Sequence, residues 1–98
     1  MSNLHFHIER LSEQLQREIG TIIAQELRDP RIPAVVTVTK VKLAQDTRNA
    51  TVLVSIYGDD NVQSNAILAL NKAAPFIQHT VSQRITVKHF PHLYFKLD

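Results

Sequence analysis

Histidine and carboxylate side chains are the first candidates for chemistry in this 98-residue sequence, and their spacing argues against most of it. Five histidines occur, as His5-x-His7, a solitary His79, and His89-x-x-His92. Residues two apart on a helix point roughly 200° from each other, so His5 and His7 would not share a metal ion. His89 and His92 flank Pro91 at the start of a strand with no carboxylate close by in sequence, which favours a structural or RNA-facing role over a metal. Cysteine is absent, which removes disulfides, thiol nucleophiles and thiolate metal sites. Asp29, Asp46, Asp59 and Asp60 form no acid–base motif, no serine sits in a nucleophile motif, and so short a chain has little room for a deep pocket. The expectation is no catalysis, no metal, no cofactor and no small-molecule substrate.

Phosphate chemistry is the remaining candidate. Gly20 and Gly58 are the only glycines, so a Walker loop, a dinucleotide fingerprint and the Gly-x-x-Gly clamp of ordinary KH domains are all excluded. Lys72, His79, Arg84 and Lys88 nevertheless cluster around Pro75, where a helix restart would turn free amides toward a phosphate. The plainer reading is that Pro75 ends a helix and these side chains are solvated. Charge along the chain comes in blocks: residues 1–27 carry two Arg and four Glu, 28–57 five Lys/Arg and two Asp, 58–71 two Asp, and 72–98 four Lys/Arg and one Asp. If the two basic blocks meet on one face, that face could hold phosphates.

The elements that must position these residues follow from periodicity. Leu4, Ile8, Leu11, Leu15, Ile19, Ile22, Ile23 and Leu27 form one helical stripe, capped by Ser2 or Asn3 and stopped by Asp29 and Pro30. Val35–Leu43 reads as a strand whose alternation slips after Thr39; either a bulge near Thr39 and Lys40 re-aims it or both faces are covered there. Ala44–Asn49 makes the hairpin connection and Ala50–Tyr57 the return strand, with Ala50, Val52, Val54 and Ile56 on one face. Gly58–Asn61 breaks the pattern and caps a second helix with Val62, Ala66, Ile67, Leu70 and Ala73 or Ala74 inward. Pro75 ends or kinks it, and a third helix turns Phe76, Ile77, Val81 and Ile85 inward. His89–Asp98 is a last strand alternating Leu93, Phe95 and Leu97 against Tyr94 and Lys96. The expected fold is α+β, a single KH-like domain over residues 1–98 in the type II order α-β-β-α-kink-α-β, with helices on one face of a three-stranded sheet. No apolar run approaches the roughly 20 residues of a membrane span, and charges interrupt any signal-peptide core, so a cytoplasmic protein without membrane contact is expected.

Arg28-Asp29-Pro30-Arg31-Ile32 followed by Val36-Thr37-Val38-Thr39-Lys40-Val41 resembles the ribosome-binding factor A family of bacterial small-subunit assembly factors. Ile8-Glu9-Arg10-Leu11 and Gln14 lie ahead of it. Asp46-x-Arg48-x-Ala50, Val52-x-Val54-Ser55, Leu70-Asn71-x-Ala73-Ala74-Pro75-Phe76-Ile77 and Pro91-x-Leu93-x-Phe95-x-x-Asp98 follow in the family's order. The resemblance implies a KH-like domain in which an Ala-x-Gly kink replaces the glycine clamp. It also implies a monomeric, non-enzymatic factor that binds the free 30S subunit, assists late maturation and 5′-end processing of 16S rRNA, and is linked to growth in the cold. On that footing the RNA-binding residues are Lys72, Ala73, Ala74, Pro75, His79, Arg84 and Lys88, with Arg31 and Arg48 in support. A protein-interaction module of the assembly machinery, with incidental RNA contact, is the alternative.

Several positions depart from the family pattern. The kink glycine is Pro75, which makes a flexible turn rigid. Gln78, His79, Gln83 and Thr86 stand where the family usually has Arg or Lys, and His92 where it usually has Glu. Members commonly continue beyond the position of Asp98 into a flexible tail.

Overall fold

A computed structural model describes the backbone of residues 3–33, 35–87 and 89–98, with side chains from residue 7 onward. The order is α1 (Asn3–Gln25), β1 (Val36–Leu43), β2 (Asn49–Ile56), α2 (Asp60–Lys72), α3 (Ala74–Ser82) and β3 (His92–Leu97). This is the expected α+β, KH-like arrangement.

The α1 stripe is buried at Leu11, Leu15, Ile19, Ile22 and Ile23, while Ile8 and Leu27 are half-buried. Ser2 and the side chains of Asn3 and Leu4 lie outside the described residues. The helix ends at Gln25, two residues before the last stripe position, because its final turn widens: the amides of Glu26 and Leu27 both donate to the Ile22 carbonyl. Asp29 and Pro30 then keep the chain from continuing the helix.

β1 and β2 form an antiparallel hairpin whose register slips between Val38 and Lys40, so the bulge reading holds. Thr39 is the extra residue. Its hydroxyl donates to the Leu53 carbonyl at 3.2 Å, and Gln16 Nε2 from α1 donates to the Val38 and Thr39 carbonyls at 3.3 Å each. One extra residue keeps Val38 and Val41 on the buried face and turns Lys40 and Lys42 to the other. The connecting turn is closed by Thr47 N–H to Ala44 O and places Thr47 at φ 59°.

β3 pairs with β2 in parallel, from Asn49 opposite His92 to Val54 opposite Leu97, giving the order β1-β2-β3. One face of the sheet, with Val38, Val41, Ala50, Val52, Val54, Leu93 and Phe95, packs under the helices.

The helix pair after β2 follows its caps. Asp59 Oδ1 accepts from Val62 N–H at 2.9 Å and opens α2; Pro75 stands near the N-terminus of α3. Three side-chain expectations are corrected. Phe76 is 49% exposed rather than inward, because Ala74, Ile77 and Val81 set the buried phase of α3 and Phe76 lies about 100° round the helix from Ile77. Val62 is 37% exposed, since it covers Gly58 instead of entering the core; a Cβ added at Gly58 would stand 2.5 Å from its Cγ1. Leu97 is 44% exposed at the outer end of β3.

Candidate nucleic-acid interface

The sequence placed its phosphate candidates around the turn between α2 and α3. Lys72 is exposed in the last turn of α2, Ala73 is the turn residue, Ala74 is buried, and Pro75 is exposed. Ala73 supplies no side-chain cap to α3, and Pro75 carries no amide hydrogen, so the amides available to an anion are fewer than at an ordinary helix start. His79 is exposed in the last turn of α3, its Nε2 lying 3.4 Å from Gln83 Nε2. Lys88 lies outside the described residues.

The two arginines of this neighbourhood are matched by carboxylates. Arg84 Nη2 donates to Glu26 Oε2 at 2.6 Å, with Nη1 3.6 Å from Glu18, which braces the end of α3 against α1. The hydrogen bond to Glu26, reinforced by the charges of Glu26 and Glu18, raises the Arg84 pKa above its ordinary value. Arg31 forks onto Asp29, Nε to Oδ1 at 3.1 Å and Nη2 to Oδ2 at 2.8 Å, while its own amide also donates to Oδ1. These side-chain and backbone bonds from Arg31 hold the Asp29 carboxyl down at about 2, and Lys72 adds a weaker field that places it in the same neighbourhood. Arg48 belongs to a second group at the β1–β2 turn. Its carbonyl accepts from His92 N–H at 2.9 Å, and Arg48, His89, Phe90 and His92 line a depression of about 260 Å³.

Two residues that charge and periodicity did not flag close the kink onto the sheet. Asn71 Oδ1 accepts from Phe95 N–H at 2.8 Å and Asn71 Nδ2 donates to Phe95 O at 3.1 Å. Gln78 Oε1 accepts from Leu93 N–H at 3.0 Å. The outer edge of β3 beside the kink therefore has these backbone groups satisfied by side chains. Gln78, which read as a missing phosphate ligand, is an edge cap. The available signal was a pair of primary amides flanking the proline, seven residues apart.

Two grooves larger than the depression at Arg48 run between α1 and β1. One of about 560 Å³ mixes Glu9 and Glu13 with Lys40 and Lys42, and a second of about 410 Å³ is lined by Gln16, Gly20 and Val36 among others. Carboxylates in the first make it a poor phosphate cleft. Among the described residues no group of three or more His, Asp or Glu side chains could hold a metal ion, and no helix is long and apolar enough to cross a membrane.

Comparison with known proteins fits this architecture throughout. The family model described as ribosome-binding factor A matches residues 7–98. Ribosome-binding factor A of Thermomicrobium roseum is 47% identical over 89 residues, covering 91% of this chain and 68% of the relative. That of Caldanaerobacter subterraneus subsp. tengcongensis is 38% identical over 98 residues, covering 100% and 80%. The crystal structure of ribosome-binding factor A from Thermus thermophilus superposes with a TM-score of 0.82 at 28% identity, covering 92% of this chain and 93% of that one. A homology model of the Thermus thermophilus factor, fitted into the cryo-EM map of its 30S complex, gives 0.74 at 28% identity, covering 89% and 90%. With both the helix order and nearly every residue accounted for, this chain belongs to the ribosome-binding factor A family.

Proposed function

We propose that this chain is an assembly factor of the small ribosomal subunit: it binds the free 30S particle and assists late maturation and 5′-end processing of 16S rRNA. The observation that carries the reading is a chain-long match in sequence and fold to a factor whose structure has been fitted into a 30S complex. The protein acts in the cytoplasm as a monomer, by binding rather than by catalysis.

At the α2–α3 turn, Lys72 and His79 approach phosphates while Ala73, Ala74 and Pro75 give a rigid turn. Arg84 braces the end of α3 against α1 through its carboxylate partners, Arg31 stands on Asp29 beside the turn, and Lys88 and Arg48 extend the contact. About four phosphates would be engaged, so the log–log salt slope is expected near −3 by the single-strand coefficient of about 0.7 per phosphate.

Binding of the purified protein to free small subunits and to complete ribosomes tests the reading. Preference for the free subunit, weakening with salt, is expected. Equal affinity for both, or none for either, overturns it. Binding that is indifferent to salt favours contact with a ribosomal protein instead.

A further inference from the structure

Lysines from both basic blocks of the sequence meet on one face, the face of the sheet away from the helices. Strand alternation and the Thr39 bulge turn Thr37, Lys40 and Lys42 of β1, Thr51, Leu53 and Ser55 of β2, and His92, Tyr94 and Lys96 of β3 to that side. The register sets them in rows. Lys40, Leu53 and Lys96 form one; Lys42, Thr51 and Tyr94 the next; Asn49 and His92 the third, against Arg48 and its depression. Successive rows lie about 7 Å apart along the strands, and β1 and β3 about 10 Å apart across them.

We propose that this uncovered sheet face binds single-stranded RNA, with Lys40, Lys42 and Lys96 holding phosphates, Tyr94 stacking a base, and Arg48 and His92 receiving the strand at the rim.

Charge matching carries the proposal. Lys40, Lys42, Lys96 and Arg48 are exposed and form no ion pair with a described residue, whereas Arg31 and Arg84 are both matched. Glu9 and Glu13 of α1 line the groove at the β1 edge beside Lys40 and Lys42, though neither lysine is ion-paired with a described residue; the other carboxylates lie elsewhere, Glu18 and Glu26 on Arg84, Asp29 on Arg31, Asp59 and Asp60 at the start of α2. By alternation only Asp98, beyond Leu97, joins this face, while Asp46 sits in the adjoining turn. Tyr94 is 55% exposed between His92 and Lys96 along β3 and opposite half-buried Thr51 of β2. An aromatic ring among unmatched cations on a sheet is the combination by which proteins stack bases and hold backbone phosphates without a glycine loop. A peptide adding as a strand is the poorer occupant, because Asn71 and Gln78 already bond the outer edge of β3.

The proposal rests on the chain being an RNA-binding factor but not on the α2–α3 turn, and its test separates the two. A labelled 12-nucleotide oligouridylate is titrated with the full chain, the variant Lys40→Gln/Lys42→Gln/Lys96→Gln and Tyr94→Ala, each first checked for a native circular dichroism spectrum. The triple variant is expected to bind at least tenfold more weakly, with a salt slope reduced by about 2, three times the single-strand coefficient. Tyr94→Ala is expected to lose about fivefold or more with the slope unchanged. Wild-type affinity and slope in the triple variant, or no binding by the parent chain, overturns the sheet proposal while leaving 30S preference to be decided by its own assay. Conversely, loss of oligonucleotide binding in the triple variant of a chain that does not prefer free subunits keeps the sheet proposal and removes the assembly reading. Salt-insensitive capture of isolated ribosomal proteins through this face, without RNA binding, also overturns it.

Discussion

Arg31 and Arg84 and the lysines on the open face of the sheet treat positive charge in opposite ways. Arg31 forks onto Asp29 and Arg84 bridges Glu26 and Glu18, so both of these guanidinium groups are neutralised where they stand. On the sheet, Lys40, Lys42 and Lys96 stand without an ionic partner among the described residues. Matched cations hold elements in place; unmatched ones leave a field that reaches solvent and attracts counter-charge. A count of Lys and Arg along the chain misses this distinction, and the net charge of +2 conceals it.

The largest test removes what both regions share. Phe95 is 2% exposed under the helices and belongs to the strand that carries Tyr94 and Lys96, so Phe95→Ala is expected to cost about 3–5 kcal/mol in urea unfolding. Next is Asn71→Ala, which unpartners the Phe95 N–H and C=O and should cost about 1–3 kcal/mol while the oligonucleotide affinity of the sheet stays unchanged. Gly20→Ala changes the helical layer in the other direction. A Cβ there meets nothing within 4 Å, so the substitution should raise stability by about 1 kcal/mol, again without altering RNA affinity. Arg84→Gln is expected to lower the urea midpoint slightly and leave the oligonucleotide salt slope at its wild-type value, unlike the lysine variants.

The smallest effect is set by pH. The folded-state pKa of Asp29 is depressed to about 2 from the ordinary 3.8, so its stabilising contribution is complete above the ordinary value and fades as pH falls toward the depressed one. The difference in urea midpoint between wild type and Asp29→Asn should be constant above about pH 5 and shrink on acidification toward pH 2. A difference that grew on acidification would contradict the Arg31 fork.

Local chemistry was legible where it was sufficient. The α1 stripe, the stop at Asp29 and Pro30, the Asp59 cap and the slip at Thr39 all depend on neighbours within a few residues. Phe76 misled because hydrophobicity outweighed helical phase: small Ala74 takes the inward position and the larger ring is left outside. The parallel pairing of β3, the Arg84 brace and the Asn71 and Gln78 bonds join residues far apart in sequence, and no periodicity encodes them. For the candidate site, cationic residue types were readable in sequence, but which of them were already matched was not. That required the fold, because the Arg84–Glu26 partners lie 58 residues apart.

The side-chain closure of β3 also bears on how this chain behaves at high concentration. A three-stranded open sheet has two outer strands, and bare backbone on either is a template for another chain to add to. Here one outer strand is bonded along its middle by Asn71 and Gln78, and the other is interrupted by the Thr39 bulge under Gln16. Edge-to-edge aggregation and strand exchange between copies are thereby opposed at both sides of the sheet by three amide side chains, none of them charged. Those amides let the sheet keep a broad solvent-facing surface without growing into a larger one.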